Sequence, residues 1–197
     1  AGGQTAQGLS YVVSASRFMT DGYRDHSAAD RNVGNVKLSA AVGEDASWTL
    51  VANSMKSSAQ DPQGLTWEQY LADPQQPSSV AQRFNTRKSL EQTQVGMTYE
   101  RQLNSSHSVA LTAYAGHRSM EQYQSIPAAT QQNNAGHAGG VIDMSRNYAG
   151  IDARWTGTFH EAPVPVTVTA GLAMDRVGEN RKGYENFVGS QRGIQGA

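Results

Sequence analysis

Nine side chains in four polar stretches of this 197-residue sequence could together bind an anion. Arginine is the most informative type among them, because its planar guanidinium can pair with a carboxylate through two parallel hydrogen bonds. The candidates are Arg24, His26, Arg83, Arg87, Lys88, His137, Arg181, Lys182 and Tyr184. If the stretches that carry them converge, the sequence predicts a site for a solute with carboxylates or other anionic groups.

Each candidate has a structural alternative. An arginine in a polar stretch can tether its own loop through an ion pair, or simply remain a hydrated surface charge. Arg24 is followed directly by Asp25, and Arg181 lies four residues before Glu185. Both the binding role and the tethering role are therefore open at this point.

Other chemistries find less support. The five histidines show no metal-ligand spacing, and there is no cysteine, so we expect no metal site and no cofactor. The Gly-rich segment from His137 to Gly140 lacks the strand, the spacing and the lysine of a nucleotide-binding loop. No G-x-S-x-G motif or other catalytic set stands out, so we do not expect an enzyme. A net charge of -1 gives no field for nucleic acid.

The composition favours strands with one apolar face joined by polar loops. Only 38% of residues are hydrophobic and 17% are charged, so much of the polarity comes from uncharged side chains and 20 glycines. No apolar run approaches the roughly 20 residues of a spanning helix. The sequence opens with Ala1, Gly2 and Gly3 and shows no signal peptide, so we expect its ends to be cut points.

Seven stretches alternate between apolar and polar residues with the period of a β-strand. They cover 9–16, 35–42, 48–52, 94–100, 108–115, 151–159 and 164–175. In the last, Val166, Val168 and Leu172 alternate with Thr167 and Thr169. A soluble sandwich and a large barrel with a wet interior both produce this pattern, so alternation alone leaves the two architectures open.

The connections favour the barrel. Short turns at 43–46, 104–106 and 160–163 alternate with long connections at 21–31, 56–89, 117–146 and from 177 onward. Outer-membrane barrels have tight turns on one rim and long loops on the other. Trp48, Tyr99, Trp155 and Phe159 all lie near short turns, which predicts an aromatic girdle. In the sandwich alternative, these rings would close the end of a soluble core.

The second long connection contains a helix signal. Thr66 is followed three residues later by Gln69, which is a capping-box pattern, and Pro74 prevents continuation. We predict a short helix within residues 64–74. Because one or two turns of helix are marginal alone, we expect Leu65, Tyr70 or Leu71 to pack on another part of the chain.

Five segments carry a resemblance to a known family. They are Asp21-Gly22-Tyr23-Arg24-Asp25-His26-Ser27, Phe84-Asn85-Thr86-Arg87-Lys88, Gln124-Ser125-Ile126-Pro127, His137-Ala138-Gly139-Gly140-Val141-Ile142-Asp143 and Arg181-Lys182-Gly183-Tyr184-Glu185-Asn186-Phe187-Val188. In these segments and in its strands the sequence resembles TonB-dependent outer-membrane receptors, nearest to the members that import pyrroloquinoline quinone. The resemblance runs nearly end to end.

The resemblance implies an all-β fold: an antiparallel, up-and-down transmembrane barrel of 22 strands, of which residues 1–197 would form about seven. We expect this segment to be open, with the plug domain and the remaining strands outside it.

The implied location is the Gram-negative outer membrane, in contact with its lipid and lipopolysaccharide. The implied solute is pyrroloquinoline quinone or a ferric siderophore, imported with energy from TonB, which would bind the missing N-terminal part. Phages or bacteriocins could use the same loops. The competing hypothesis is a surface or soluble all-β adhesin whose loops bind a glycan or a protein.

Overall fold

A computed structural model describes residues 1–134, 136–160 and 164–186. The strands are β1 (Gly2–Gln4), β2 (Ser10–Thr20), β3 (Ala29–Val42), β4 (Ala46–Gln60), β5 (Arg87–Asn104), β6 (His107–Tyr123), β7 (Val141–Phe159) and β8 (Val166–Tyr184). The helices are α1 (Trp67–Ala72), α2 (Ser79–Phe84) and α3 (Ala128–Asn133). The strands form one antiparallel sheet in chain order, with β1 and β8 at its two edges. This is the open, up-and-down all-β architecture that the sequence predicted.

The strand count differs from the prediction by one. β1 has only three residues, two of them glycine, so it shows no alternation that a sequence pattern could detect. It is recognisable only from its pairing with Ser10, Tyr11 and Val12 of β2. The sheet therefore has eight strands rather than seven.

The two faces of the sheet differ in polarity. The apolar face is defined by a row of residues that lie directly opposite one another on seven neighbouring strands. They are Tyr11, Leu38, Leu50, Met97, Ala113, Ile151 and Met174. The next row contains Lys37, Tyr114 and Asp175, and belongs to the polar face. Leu111 and Leu172 of the apolar face are 52% and 83% exposed. The described residues form one sheet and place no second sheet over this face, so the sandwich alternative is wrong for the fold.

Tight turns occupy one rim, as predicted. Gly43 turns the chain between β3 and β4 with φ +67°, a conformation that favours glycine. Between β5 and β6, the Asn104 side-chain oxygen accepts from the backbone N–H groups of Ser106 and His107 at 2.9 and 3.0 Å. The predicted turn at 160–163 lies mostly outside the described residues.

The four predicted girdle residues share the apolar face close to these turns. Trp48 lies directly opposite Tyr99. Trp155 and Phe159 meet edge to face with ring centroids 6.4 Å apart, and His107 stacks on Trp155 at 5.5 Å. The expected aromatic cluster is therefore present, and His107 is an additional member.

The strands extend further at the opposite rim than the alternation predicted. β5 to β8 contain 17 to 19 residues, although about 10 are enough to cross a bilayer. Beyond the apolar stretch both faces become polar, so the alternation disappears while the pairing continues. Arg17 and Asp30 form an ion pair there at 3.1 Å, and a hydrogen bond with Glu91 raises the pKa of Lys56.

The helix predicted in the second long connection is present. The Thr66 hydroxyl accepts from the Gln69 backbone N–H at 3.2 Å, and the Gln69 side chain accepts from the Thr66 N–H at 2.9 Å. The packing expectation is only partly correct, because Leu65 is half-buried whereas Tyr70 and Leu71 are exposed. α2 and α3 have weaker sequence signals and were not predicted. No helix among the described residues is long and apolar enough to cross a membrane.

Candidate functional site

Three connections at the rim opposite the tight turns form the mouth layer, which comprises residues 21–28, 61–86 and 124–140. The first connection is joined to the second by a backbone hydrogen bond from Asp25 to Gln75 at 2.9 Å. The second is joined to the third by a hydrogen bond from Ser125 to Gln63 at 3.2 Å. The most buried apolar side chains of the described residues lie in this layer or beside it: Ala81, Phe84, Tyr123, Val141 and Met144.

Arg24 is the main link between the first two connections. Its guanidinium donates to the backbone oxygens of Gln63 at 2.6 Å, Pro62 at 3.2 Å and Gln76 at 2.8 and 3.0 Å. No ion pair joins it to Asp25 within the described part of the chain. Tethering is thus the role that these contacts favour, although the partner is the neighbouring connection rather than its own loop.

The side chains of His26 and Arg87 also contact other residues of the chain. The His26 Nε2 atom lies 2.8 Å from the backbone oxygen of Thr86, a fully buried residue just after α2. The Arg87 guanidinium lies 3.5 Å from the centre of the Tyr123 ring and donates to the Asn85 oxygen at 2.9 Å. Arg83 lies over the ring of its neighbour Phe84 at 5.3 Å.

Five of the predicted residues lie in strands rather than in long loops. Arg87 and Lys88 begin β5, while Arg181, Lys182 and Tyr184 are near the end of β8. The cause is the continued pairing of polar strand ends, which sequence alternation cannot detect. By strand alternation, Lys88 and Arg181 belong to the polar face.

Three of the nine predicted residues line one cavity. His137, Arg181 and Lys182 border a space of ≈ 480 Å³ between the third connection and the end of β8, together with the polar side chains of Gln124 and Asn134. Arg181 makes no ion pair with Glu185 within the described residues. Residues with two cationic side chains and an imidazole therefore border the cavity, although Arg181 and Lys182, as consecutive residues of β8, point to opposite faces of the sheet. The other six predicted residues do not line it.

The Gly-rich segment explains how the third connection approaches β8 so closely. Gly139 has φ +95°, and a side chain there would overlap the backbone of Tyr184 and Glu185. The Gln131 side-chain oxygen accepts from the backbone N–H groups of Gly140 and Asn186 at 3.1 and 2.9 Å. These glycines thus permit close packing beside the cavity.

The polar face below the mouth carries a ladder of side-chain hydrogen bonds. The Tyr148 hydroxyl donates to Gln94 at 2.8 Å, and Tyr114 donates to Asp175. Each ring crosses a glycine of the neighbouring strand: a Cβ added at Gly116 would overlap the Tyr148 ring and hydroxyl, and one added at Gly150 would lie 2.6 Å from the Tyr114 ring. Because these glycines leave room, each tyrosine reaches across three strands.

Between this ladder and the mouth lie two arginines that the sequence analysis missed. Arg118 of β6 and Arg146 of β7 are directly opposite each other, and Arg146 pairs with Glu179 of β8, its Nε lying 2.9 Å from the carboxylate. Both lie within the long connection predicted at 117–146, where neither was selected as a binding residue. Sequence alternation does not detect the polar ends of β6 and β7, so no local pattern indicated that these two arginines lie opposite each other.

The sequence matches no protein-family model. Among solved structures, the unliganded ferric citrate transporter FecA matches 93% of this chain with a TM-score of 0.77 and 20% identity. The open form of the ferric-catecholate import receptor Fiu from E. coli K12 matches 98% of the chain, with a TM-score of 0.71 and 12% identity. The chain spans only 26% and 35% of those two proteins. At these identities the likeness is one of fold: the open antiparallel sheet has the architecture of part of the barrel in these two proteins.

Proposed function

We propose that this chain forms part of the wall and mouth of a TonB-dependent outer-membrane receptor that binds and imports a scarce anionic solute. The observation that carries the solute class is the mouth cavity, which His137, Arg181 and Lys182 border. Guanidinium and ammonium groups bind carboxylates and other oxyanions through charge-assisted hydrogen bonds. A tricarboxylate such as pyrroloquinoline quinone and a ferric siderophore with anionic donors are both compatible with this chemistry.

The two faces of the sheet support a membrane location. The apolar positions of β8 run from Val166 to Met174, nine residues, which is the length of a membrane-crossing strand. The apolar face would contact lipid and lipopolysaccharide, whereas the polar face with its hydrogen-bonded ladder would line the lumen. The plug, the remaining strands and the part that contacts TonB would belong to the rest of the receptor. Phages or bacteriocins would reach the same mouth layer from outside.

The adhesin hypothesis has less support. A soluble sandwich would bury the apolar row against a second sheet. Met97 and Ile151 in that row are instead 45% and 58% exposed. An apolar sheet face of this size that no other layer covers favours contact with lipid over contact with water.

The deciding experiment measures binding of pyrroloquinoline quinone and of a ferric siderophore to the complete receptor purified in detergent. We expect one of the two to bind saturably, and its uptake by cells to require TonB. Arg181→Ala should weaken that binding, because it removes a cation from the cavity. Arg83→Ala is the matched control, since Arg83 does not line the cavity. Equal binding by both variants and the wild type would reject the cavity as the solute site.

A further inference from the structure

Arg118 has an unusual environment for a strand arginine. Its Nε–H is shielded from solvent and has no hydrogen-bond acceptor among the described residues. In the same part of the chain, none of the side-chain hydrogen bonds or ion pairs involves its guanidinium. A buried donor without an acceptor costs free energy, so this Nε–H is in an environment that favours binding an acceptor.

The charges around it are not balanced. Arg118 lies directly opposite Arg146, and like charges in this position repel each other. Glu179 supplies one carboxylate to the pair, and Arg146 already engages it. Arg181 lies on the same face, one step towards the mouth, opposite Met144. Three guanidiniums and one carboxylate thus occupy adjoining positions of the polar face.

The position of the pair relates it to the mouth cavity. Arg181 lines that cavity. Glu179 lies two residues from Arg181 along β8, in the direction of the tight turns, and Arg146 lies directly opposite Glu179. Two residues of strand correspond to roughly 7 Å. An anion that leaves the cavity along the polar face therefore meets Arg146 and Arg118 next.

The neighbouring side chains favour an organic anion. Met120 and Met144 are paired across β6 and β7 on the mouth side of the arginines, and the Tyr148 ring lies on the opposite side. The Tyr148 hydroxyl is already bonded to Gln94. Gln92 lies directly opposite Arg118 on β5 and donates its amide to Gln94. The surface around the two guanidiniums thus combines this amide with thioether and ring carbon atoms, and those carbon atoms suit the body of an organic acid better than a hydrated inorganic ion.

We propose that Arg118 and Arg146 form a second anion site, deeper than the mouth cavity, that binds a carboxylate of an organic acid. The carboxylate would accept from the unpaired Arg118 guanidinium and relieve its repulsion with Arg146. This inference rests on the proposed import function for its biological meaning. The binding itself can be measured whether or not the receptor imports anything.

The test is equilibrium binding of citrate, used as a small organic tricarboxylate, to the complete receptor in detergent at low ionic strength. We expect Arg118→Gln to weaken citrate binding about 10- to 100-fold, because a charge-assisted pair is lost. Arg118→Lys keeps the charge but not the planar fork, so it should give an intermediate affinity. Arg101→Gln is the control, since Arg101 is an exposed arginine of β5 on the opposite face.

Three results would overturn the site. Unchanged citrate binding by Arg118→Gln would exclude Arg118. Reduced barrel stability without a change in binding would show that Arg118 is paired with a carboxylate elsewhere in the receptor. Equal affinity for phosphate and citrate would assign the arginines to small inorganic oxyanions. Failure of TonB-dependent uptake with intact citrate binding would instead count against the proposed function alone.

Discussion

The mouth layer and the strand wall use arginine in opposite ways. In the mouth layer, Arg24 gives its hydrogen bonds to backbone oxygens of another connection. In the wall, Arg118 gives none to any described residue, and its neighbour is a second arginine. The first arrangement uses the donors to hold a loop, whereas the second leaves them without a partner among the described residues.

This difference shows why loop position is a poor guide to binding residues. A long connection must satisfy its backbone groups without a partner strand, and arginine with five donors does this well. A strand satisfies its backbone through the ladder, so its side chains are not required for that purpose. A strand arginine without a partner is therefore the more informative observation.

The largest expected effect concerns the two faces of the wall. Val168→Arg, on the apolar face, should lower the free energy of unfolding of the complete receptor by up to about 2 to 4 kcal/mol, because a cation would face lipid within the span. Thr169→Arg is the matched control, as its side chain points to the polar face and pairs with Thr156 at 3.2 Å. Urea titration of the receptor in lipid vesicles measures both variants. Equal costs would contradict the assignment of the faces, and with it the position of Arg118 in the lumen.

The next effect concerns the mouth layer. Arg24→Ala should destabilise the contact between the first two connections by about 2 to 3 kcal/mol, since several charge-assisted hydrogen bonds are lost together. The loss should be local, because none of these bonds involves the strand ladder. Hydrogen exchange of the complete receptor should show faster exchange in residues 21–28 and 62–76, with β6 and β7 unchanged.

Arg83→Ala is the control for this change, because Arg83 contacts only its own neighbour Phe84 among the described ring contacts. Its exchange pattern should match that of the wild type. If Arg24→Ala also left exchange unchanged, the mouth layer would be held by other contacts, and the contrast with the wall would lose its basis.

The sequence predicted the wall better than the site. Period-2 alternation identifies strands wherever one face is apolar and the other polar, so Val166 to Met174 was read correctly. It does not detect strand ends that are polar on both faces, which is why Arg181 and Lys182 were assigned to a loop. The cavity beside His137 depends on Gly139 and Gln131 bringing two distant segments together, and no local pattern encodes that contact. The capping box of Thr66 and Gln69 was predictable because its two hydrogen bonds join residues three apart.

Substitutions in that capping box should have the smallest effect. They also test whether hydrogen bonds to the backbone stabilise the mouth layer. α1 has no buried residue, so its stability depends on Thr66, Gln69 and a hydrogen bond from the Gln76 side chain to the Gln69 oxygen at 2.6 Å. Thr66→Ala should destabilise the helix by about 1 kcal/mol, and Thr66→Ser should have little effect because it keeps the hydroxyl. Hydrogen exchange at the Gln69 amide distinguishes the two. Equal protection in both variants would show that packing rather than capping holds α1, and that polar contacts to the backbone are not the general basis of the mouth layer.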